Sequence, residues 1–344
     1  MIKPRALRPG DRIATISLSS GWPNVFPRAY SDGKRQLEKT FGVQVIESRQ
    51  ALAGSKWLAA HPEARAADLM EVLKDPSIHG IVSTIGGDDS IRMLPFLDLS
   101  VIRENPKVFV GYSDTTVTHF AFLKAGVTSF YGPSIMAGFD ENGGLLQYTV
   151  ESVRQMLFGP SILPAPISPN QDGWTCASFA WGDERRNEKP RRLQPCSGWR
   201  WLRGRGQHRG QLIGGCLEVI DWLRGTPIWP DQSVWRNSVV FLEISEEAPS
   251  ALAVVRTLRA LAATGALLEA RGILMGRPYG DETKFEEYDA ALLQVIGELR
   301  LDSLPLVTQM DFGHTDPKFV VPYGIEVEID CDRQQIRLLE SATT

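Results

Sequence analysis

One pattern restricts the fold more than any other: strand-like and helix-like stretches alternate through the first third of the chain. Residues 12–17, 43–46, 80–85 and 107–110 are short apolar runs that read as strands. Between them, residues 27–40, 63–73 and 90–97 read as helices. Ala66, Leu69, Met70 and Leu73 share one face behind Pro62, a residue suited to a first helical position. Repeated strand–helix units predict an α/β fold whose mostly parallel sheet is covered by helices on both faces. Sites in such sheets lie beyond the carboxyl ends of the strands. Gly86-Gly87 follows one of those ends and Ser113 another.

The second half obeys the same logic. Residues 211–213, 239–244, 272–275 and 305–310 read as strands, and 217–223 as a helix. Leu252, Val255, Leu258 and Leu261 align behind Pro249, and Phe285, Tyr288, Leu292, Val295 and Leu299 mark a further helix. The tail alternates like a hairpin over 325–330 and 335–339. Residues 159–210 break the pattern with six prolines, four tryptophans and the cations Arg185, Arg186, Lys189, Arg191 and Arg192. Tryptophan argues against disorder and long loops are usually functional, so this segment is expected to fold over something. The division expected is an N-terminal domain over 1–160, a linker and Trp-containing loop over 161–209, and a C-terminal domain over 210–344.

At 344 residues, 43% hydrophobic and 23% charged, the chain has an ordinary globular composition. A net charge of −4 lacks the basic excess of a nucleic-acid binder, so no nucleic-acid polymer is expected as a partner. No apolar run approaches the roughly 20 residues that cross a bilayer, and the first dozen or so residues show no signal-peptide core. The expectation is a cytoplasmic protein without membrane attachment. Four scattered cysteines (Cys176, Cys196, Cys216, Cys331) and five scattered histidines offer no clustered ligand set, so neither metal nor cofactor is expected.

Three segments carry chemistry: Gly111-Tyr112-Ser113-Asp114-Thr115, Phe241-Leu242-Glu243 and Asp311-Phe312-Gly313-His314. A serine hydroxyl becomes a nucleophile when a base takes its proton, and the base needs an acid to orient it. Ser113, His314 and Glu243 supply one of each at strand ends, which points to a serine hydrolase. Each also has a plainer role: Ser113 as a helix cap, Glu243 in an ion pair, His314 in a turn. The order Ser, Glu, His matches α/β-hydrolases, but Thr115 stands where their G-x-S-x-G elbow has glycine. Gly86-Gly87 either forms a tight turn or offers the Gly87 amide, with that of Asp114, to an oxyanion. The Asp114 side chain is assigned to the N-terminus of the adjoining helix. Glu246 and Glu247 are assigned to solvent.

The run Asn105-Pro106-Lys107-Val108-Phe109-Val110-Gly111-Tyr112-Ser113-Asp114-Thr115-Thr116 resembles the nucleophile motif of the LD-carboxypeptidase family of serine peptidases. Tyr131-Gly132-Pro133, Ile213-Gly214-Gly215-Cys216-Leu217, Phe241-Leu242-Glu243 and Gly313-His314-Thr315-Asp316-Pro317-Lys318 are similar to its later landmarks, in order and across nearly the whole chain. The resemblance implies a flavodoxin-like N-terminal domain, a smaller α/β C-terminal domain and a Ser-Glu-His triad across the cleft. It also implies a homodimer without metal.

Two branches of that family differ in substrate. One trims the terminal D-alanine of murein tetrapeptides. The other resembles the microcin C immunity peptidase, which cleaves the amide joining a peptidyl or aminoacyl group to a modified nucleotide. That branch carries a longer tryptophan-containing loop, which Trp181-Gly182-Asp183-Glu184 and Gly198-Trp199-Arg200-Trp201-Leu202 fit. Trp181, Trp199 and Trp201 are therefore candidate substrate contacts, together with Gly86. An indole stacked on a nucleobase is worth about 1–3 kcal/mol; the plainer role is to pin the loop to the protein. Cys216 departs from the asparagine of many relatives, which bears on local substrate contacts. The resulting expectation is a serine carboxypeptidase-type hydrolase of a small peptide or aminoacyl-nucleotide. Murein trimming is the alternative, and a non-catalytic peptide- or nucleotide-binding protein the competing class.

Overall fold

The computed structural model describes residues 1–159 and 162–344, so the expected boundary between residues 160 and 161 lies outside the described residues. The first five strands are β1 (Arg12–Ile16), β2 (Gln44–Glu47), β3 (Gly80–Ser83), β4 (Val108–Gly111) and β5 (Phe130–Tyr131). There follow β6 (Ala165–Ile167), β7 (Arg200–Arg203), β8 (Gln207–Cys216), β9 (Ser238–Glu243) and β10 (Gly272–Gly276). The last four are β11 (Leu306–Met310), β12 (Val321–Pro322), β13 (Glu326–Asp330) and β14 (Gln335–Leu338). Among the described residues they form two sheets, one of six strands and one of eight.

The first sheet has the order β12-β5-β4-β3-β1-β2. Its five N-terminal strands are all parallel, in the flavodoxin-like arrangement with a reversal of winding beside β1. Every residue of β3 and β4 is buried, which explains why they read as continuous apolar runs instead of alternating ones. The second sheet has the order β6-β14-β13-β8-β9-β10-β11-β7. Its centre, β8 to β11, is parallel, and antiparallel strands flank it. Both parallel blocks present their carboxyl ends to a common cleft.

Several elements differ from expectation for local reasons. The helix expected over 90–97 is a 3-10 segment, Ser90–Phe96, with Pro95 inside it; proline lacks the amide that an α-helical turn would use. Later helices that the sequence did not suggest include Leu99–Glu104, capped by the Asp98 carboxylate, and Gln147–Leu157. The segment expected as a linker also supplies β6 and β7, the two edge strands of the second sheet. In the other direction β12, from the C-terminal part, pairs antiparallel with β5 and completes the first sheet. Among the described residues no helix is long and apolar enough to cross a membrane.

The excursion between β6 and β7 is tied down by charge. Arg186 is buried, bonded to the buried Asp140 carboxylate and 3.8 Å from Asp32. Arg191 clamps Glu141 and reaches Asp316 at 2.8 Å. Of the cations that mark this segment in the sequence, these two arginines are committed to carboxylates of the protein. Breaking one such buried pair leaves an uncompensated charge, which costs about 3–5 kcal/mol. Arg186→Ala should therefore lower the stability by that order, read as a drop in the urea midpoint at unchanged slope.

Candidate active site

The chain reaches Ser113 through a sharp turn. β4 ends at Gly111, Tyr112 is extended, and Ser113 takes φ +64°, a left-handed conformation that costs a non-glycine residue about 1–3 kcal/mol. Helix Thr116–Ala125 starts directly afterwards. Gly111 is required here, since a Cβ would lie 2.5 Å from Ser83 Oγ and 2.8 Å from Thr115 Oγ1. Thr115 is accommodated where the α/β-hydrolase elbow has glycine because its hydroxyl turns inward and donates to the Tyr112 carbonyl at 2.8 Å. The buried His119 braces the same turn, with one ring nitrogen 2.9 Å from the Gly111 carbonyl oxygen. Burial pushes the pKa of this imidazole down to about 3, so it stays neutral.

Glu243 closes β9 with no exposed surface. Its Oε2 lies 2.7 Å from His314 Nδ1, and His314 Nε2 lies 3.1 Å from Ser113 Oγ. The three residues proposed from sequence are thus in one hydrogen-bonded line. Gly313 makes the approach feasible: it has φ +93°, and a Cβ there would come within 2.6 Å of Glu243 Oε2. Asp311 anchors the loop bearing His314 by pairing with Arg277 at 2.8 Å and accepting from Trp199 Nε1 at 2.7 Å.

Burial of the His314 ring pushes its pKa down, but the charge and hydrogen bond of Glu243, helped by Glu246, outweigh that and raise it above 6.5. For Glu243 burial pushes upward, and His314, Tyr131 and Lys318 outweigh it, holding the carboxyl below its usual range. Glu246 was expected to be solvated. Its side chain is 64% exposed, yet its Oε2 sits 3.1 Å from the same His314 Nε2 that faces Ser113. The buried Lys318 counters the pull of these two acids on His314, with Nζ 3.0 Å from Asp316 Oδ1 and 4.2 Å over the Tyr112 ring.

A cleft of about 520 Å³ opens over this line, and Ser20, Gly86, Gly87, Ser113 and His314 contribute to its wall. Gly86 abuts the serine: a Cβ on it would be 3.0 Å from Ser113 Cβ, 3.1 Å from Ser113 Oγ and 3.5 Å from the Asp114 nitrogen. Gly87, at φ +147°, has room for no side chain beside Ser19 and Ser20. The Asp114 side chain does not serve its own helix as expected. It accepts from the amides of Asp89 and Ser90 and so caps the 3-10 segment after β3, which fixes Gly86-Gly87 relative to the serine.

The three tryptophans part company. Trp181 lines the cleft in an aromatic wall, stacked on Phe179 at 6.0 Å and tilted against Trp22 at 5.5 Å, with Nε1 donating to the Met136 carbonyl. Trp199 lines a separate cavity of about 430 Å³ with Trp174 and Arg277, and its indole nitrogen is spent on Asp311. Trp201 lies in β7, opposite Val307. Neither belongs to the cleft that holds Ser113. A residue that sequence reasoning passed over, Tyr131, does join the line: its hydroxyl donates to Glu243 Oε1 and accepts from the Ser113 amide at 2.9 Å. Its one signal was its place in the Tyr131-Gly132-Pro133 segment quoted for the family resemblance. Among the described residues no group of three or more His, Cys, Asp or Glu side chains is disposed to hold a metal.

Comparison with known proteins agrees with this architecture. Residues 13–132 match the model of the LD-carboxypeptidase N-terminal domain, and residues 209–329 that of the LD-carboxypeptidase C-terminal domain. The microcin C7 self-immunity protein MccF of Escherichia coli is 30% identical, over 96% of this chain and 94% of its own. Its structure with aspartyl sulfamoyl adenosine superposes with a TM-score of 0.86 at 25% identity, over the whole of both chains. An MccF-like protein of Streptococcus pneumoniae, solved with AMP, gives a TM-score of 0.86 at 30% identity, covering 96% of this chain and 98% of its own. A Bacillus subtilis protein named "probable murein peptide carboxypeptidase" is 26% identical, over 95% of this chain and 91% of its own. Matched in both domains and along nearly its full length, the chain belongs to the LD-carboxypeptidase family.

Proposed function

We propose that the protein hydrolyses an amide by acyl transfer through Ser113, His314 and Glu243, and that its substrate is an aminoacyl or peptidyl group joined to a nucleotide. The placement of His314 between the serine hydroxyl and a buried carboxylate carries the first part. Ser113 Oγ attacks the carbonyl while His314 Nε2 takes its proton. Glu243 holds Nδ1–H and stabilises the imidazolium. The amides of Gly87 and Asp114 face the oxyanion, a contribution of roughly 3–4 kcal/mol for one such donor. The leaving amine then takes the proton from His314, and a water activated the same way releases the acyl group.

Two features favour the nucleotide. The aromatic wall of Trp22, Phe179 and Trp181 offers apolar ring faces to a base, and MccF has been solved with aminoacyl sulfamoyl nucleosides and an MccF-like protein with AMP. A homodimer and a cytoplasmic location fit the same reading.

Incubation with aspartyl sulfamoyl adenosine and a murein tetrapeptide, side by side, tests it. Release of the amino acid from the nucleoside, abolished in Ser113→Ala and His314→Ala, is the expected result. Turnover of the tetrapeptide alone would move the protein to the murein branch, and full activity of Ser113→Ala would remove the mechanism. Trp181→Ala should raise KM for the nucleoside substrate and leave KM for a plain peptide unchanged; an equal rise for both would make Trp181 a packing residue.

The pH profile has a definite sign. The base must be neutral, and its pKa is raised, so the acid limb of kcat/KM should lie above the range of an ordinary histidine. Glu243→Gln removes the charge that favours the imidazolium and should move the limb to lower pH. Glu246 touches Nε2 favourably only when that nitrogen carries a proton, so Glu246→Gln should move it the same way by less, because solvent screens the exposed carboxylate.

A further inference from the structure

We infer that Tyr131 is a positioning residue for this reaction, linking the backbone of the nucleophile to the carboxylate that orients the base. The inference rests on the Ser113–His314–Glu243 reading above. Hydrogen-bond directions follow from what each group can do. A backbone N–H only donates, so the Tyr131 oxygen accepts from Ser113 at 2.9 Å. An ionised carboxylate only accepts, so the single phenolic proton goes to Glu243 Oε1. Burial and the nearby Glu243 charge raise the phenol's pKa well above its ordinary value, which keeps that proton in place.

Two donor chains therefore leave Ser113 and meet on one carboxylate. One runs from the amide through Tyr131 to Oε1; the other runs from the hydroxyl through His314 to Oε2. The circuit is closed, beginning and ending on a single residue. It gives the left-handed serine amide a partner, and it ties the position of Glu243 to the main chain of the group that Glu243 serves. The placement is rigid, because Tyr131 pairs beside Gly111 in the first sheet while Glu243 ends a strand of the second. Tyr131 is buried and contributes nothing to the cleft wall, so substrate does not touch it.

Tyr131→Phe deletes one oxygen and keeps the ring. We expect kcat to fall on the order of 10- to 100-fold through misplacement of the reacting groups, with KM unchanged. Removing the donor leaves Glu243 Oε1 unshared, so more of its charge acts on His314 and the acid limb of kcat/KM should rise. Replacing Tyr131 alone with 3-fluorotyrosine, a stronger donor of the same shape, should move the limb down; this second variant remains informative if the phenylalanine variant does not fold. Wild-type kcat with an unmoved limb in both variants, against an inactive Ser113→Ala, would overturn the proposal and make Tyr131 a packing residue. Activity persisting in Ser113→Ala would instead overturn the triad reading, and this inference with it.

Discussion

A charged carboxylate with no access to solvent sets the terms for the rest of the molecule. Isolated, a buried Glu243 would cost several kcal/mol. It is offset by donors from opposite sides, Tyr131 from the first sheet and His314 from the loop after β11 of the second. The bond from Tyr131 crosses from one sheet to the other, so satisfying Glu243 ties the first sheet to the second. Close backbone approach is part of that solution: Gly313 and Gly276 both press on Glu243, and neither leaves space for a side chain.

Much of this was legible in the sequence because parallel strands are buried on both faces and announce themselves as apolar runs. Strand ends follow from the runs, and the chemistry follows from which side chains stand at the ends. What the sequence concealed depends on partners far along the chain. Arg186 and Arg191 meet Asp140, Glu141 and Asp316, and nothing local in the sequence distinguishes such a counterion from a binding residue. Asp114 looks like a cap for the helix beside it and caps one that begins at Ser90. Trp199 carries the composition of a stacking residue, but its nitrogen secures Asp311. Tyr131 sits in a strand of two residues, too short for any periodicity to show.

The basicity of His314 emerges as a balance of opposed fields. Glu243 and Glu246 draw it upward, while burial and Lys318 draw it down. Lys318 is itself governed by Asp316, which Arg191 holds from the other side. The excursion between β6 and β7 thus reaches the imidazole without touching it, through one arginine, one aspartate and one lysine. A change in that loop alters the electrostatics of the site even where it leaves the cleft wall intact.

The exchange of β12 into the first sheet has a consequence for biosynthesis. Ser113 leaves the ribosome 201 residues ahead of His314, and the strand that closes the edge beside β5 comes later still, at Val321–Pro322. Until then the nascent N-terminal half presents β5 as an open edge, the kind of surface that pairs with other chains. Folding must wait for contacts of very long sequence separation, which slows it. The hydrogen-bonded trio cannot assemble until the chain has been made past His314, and a polypeptide released before that point would be both inert and prone to aggregate.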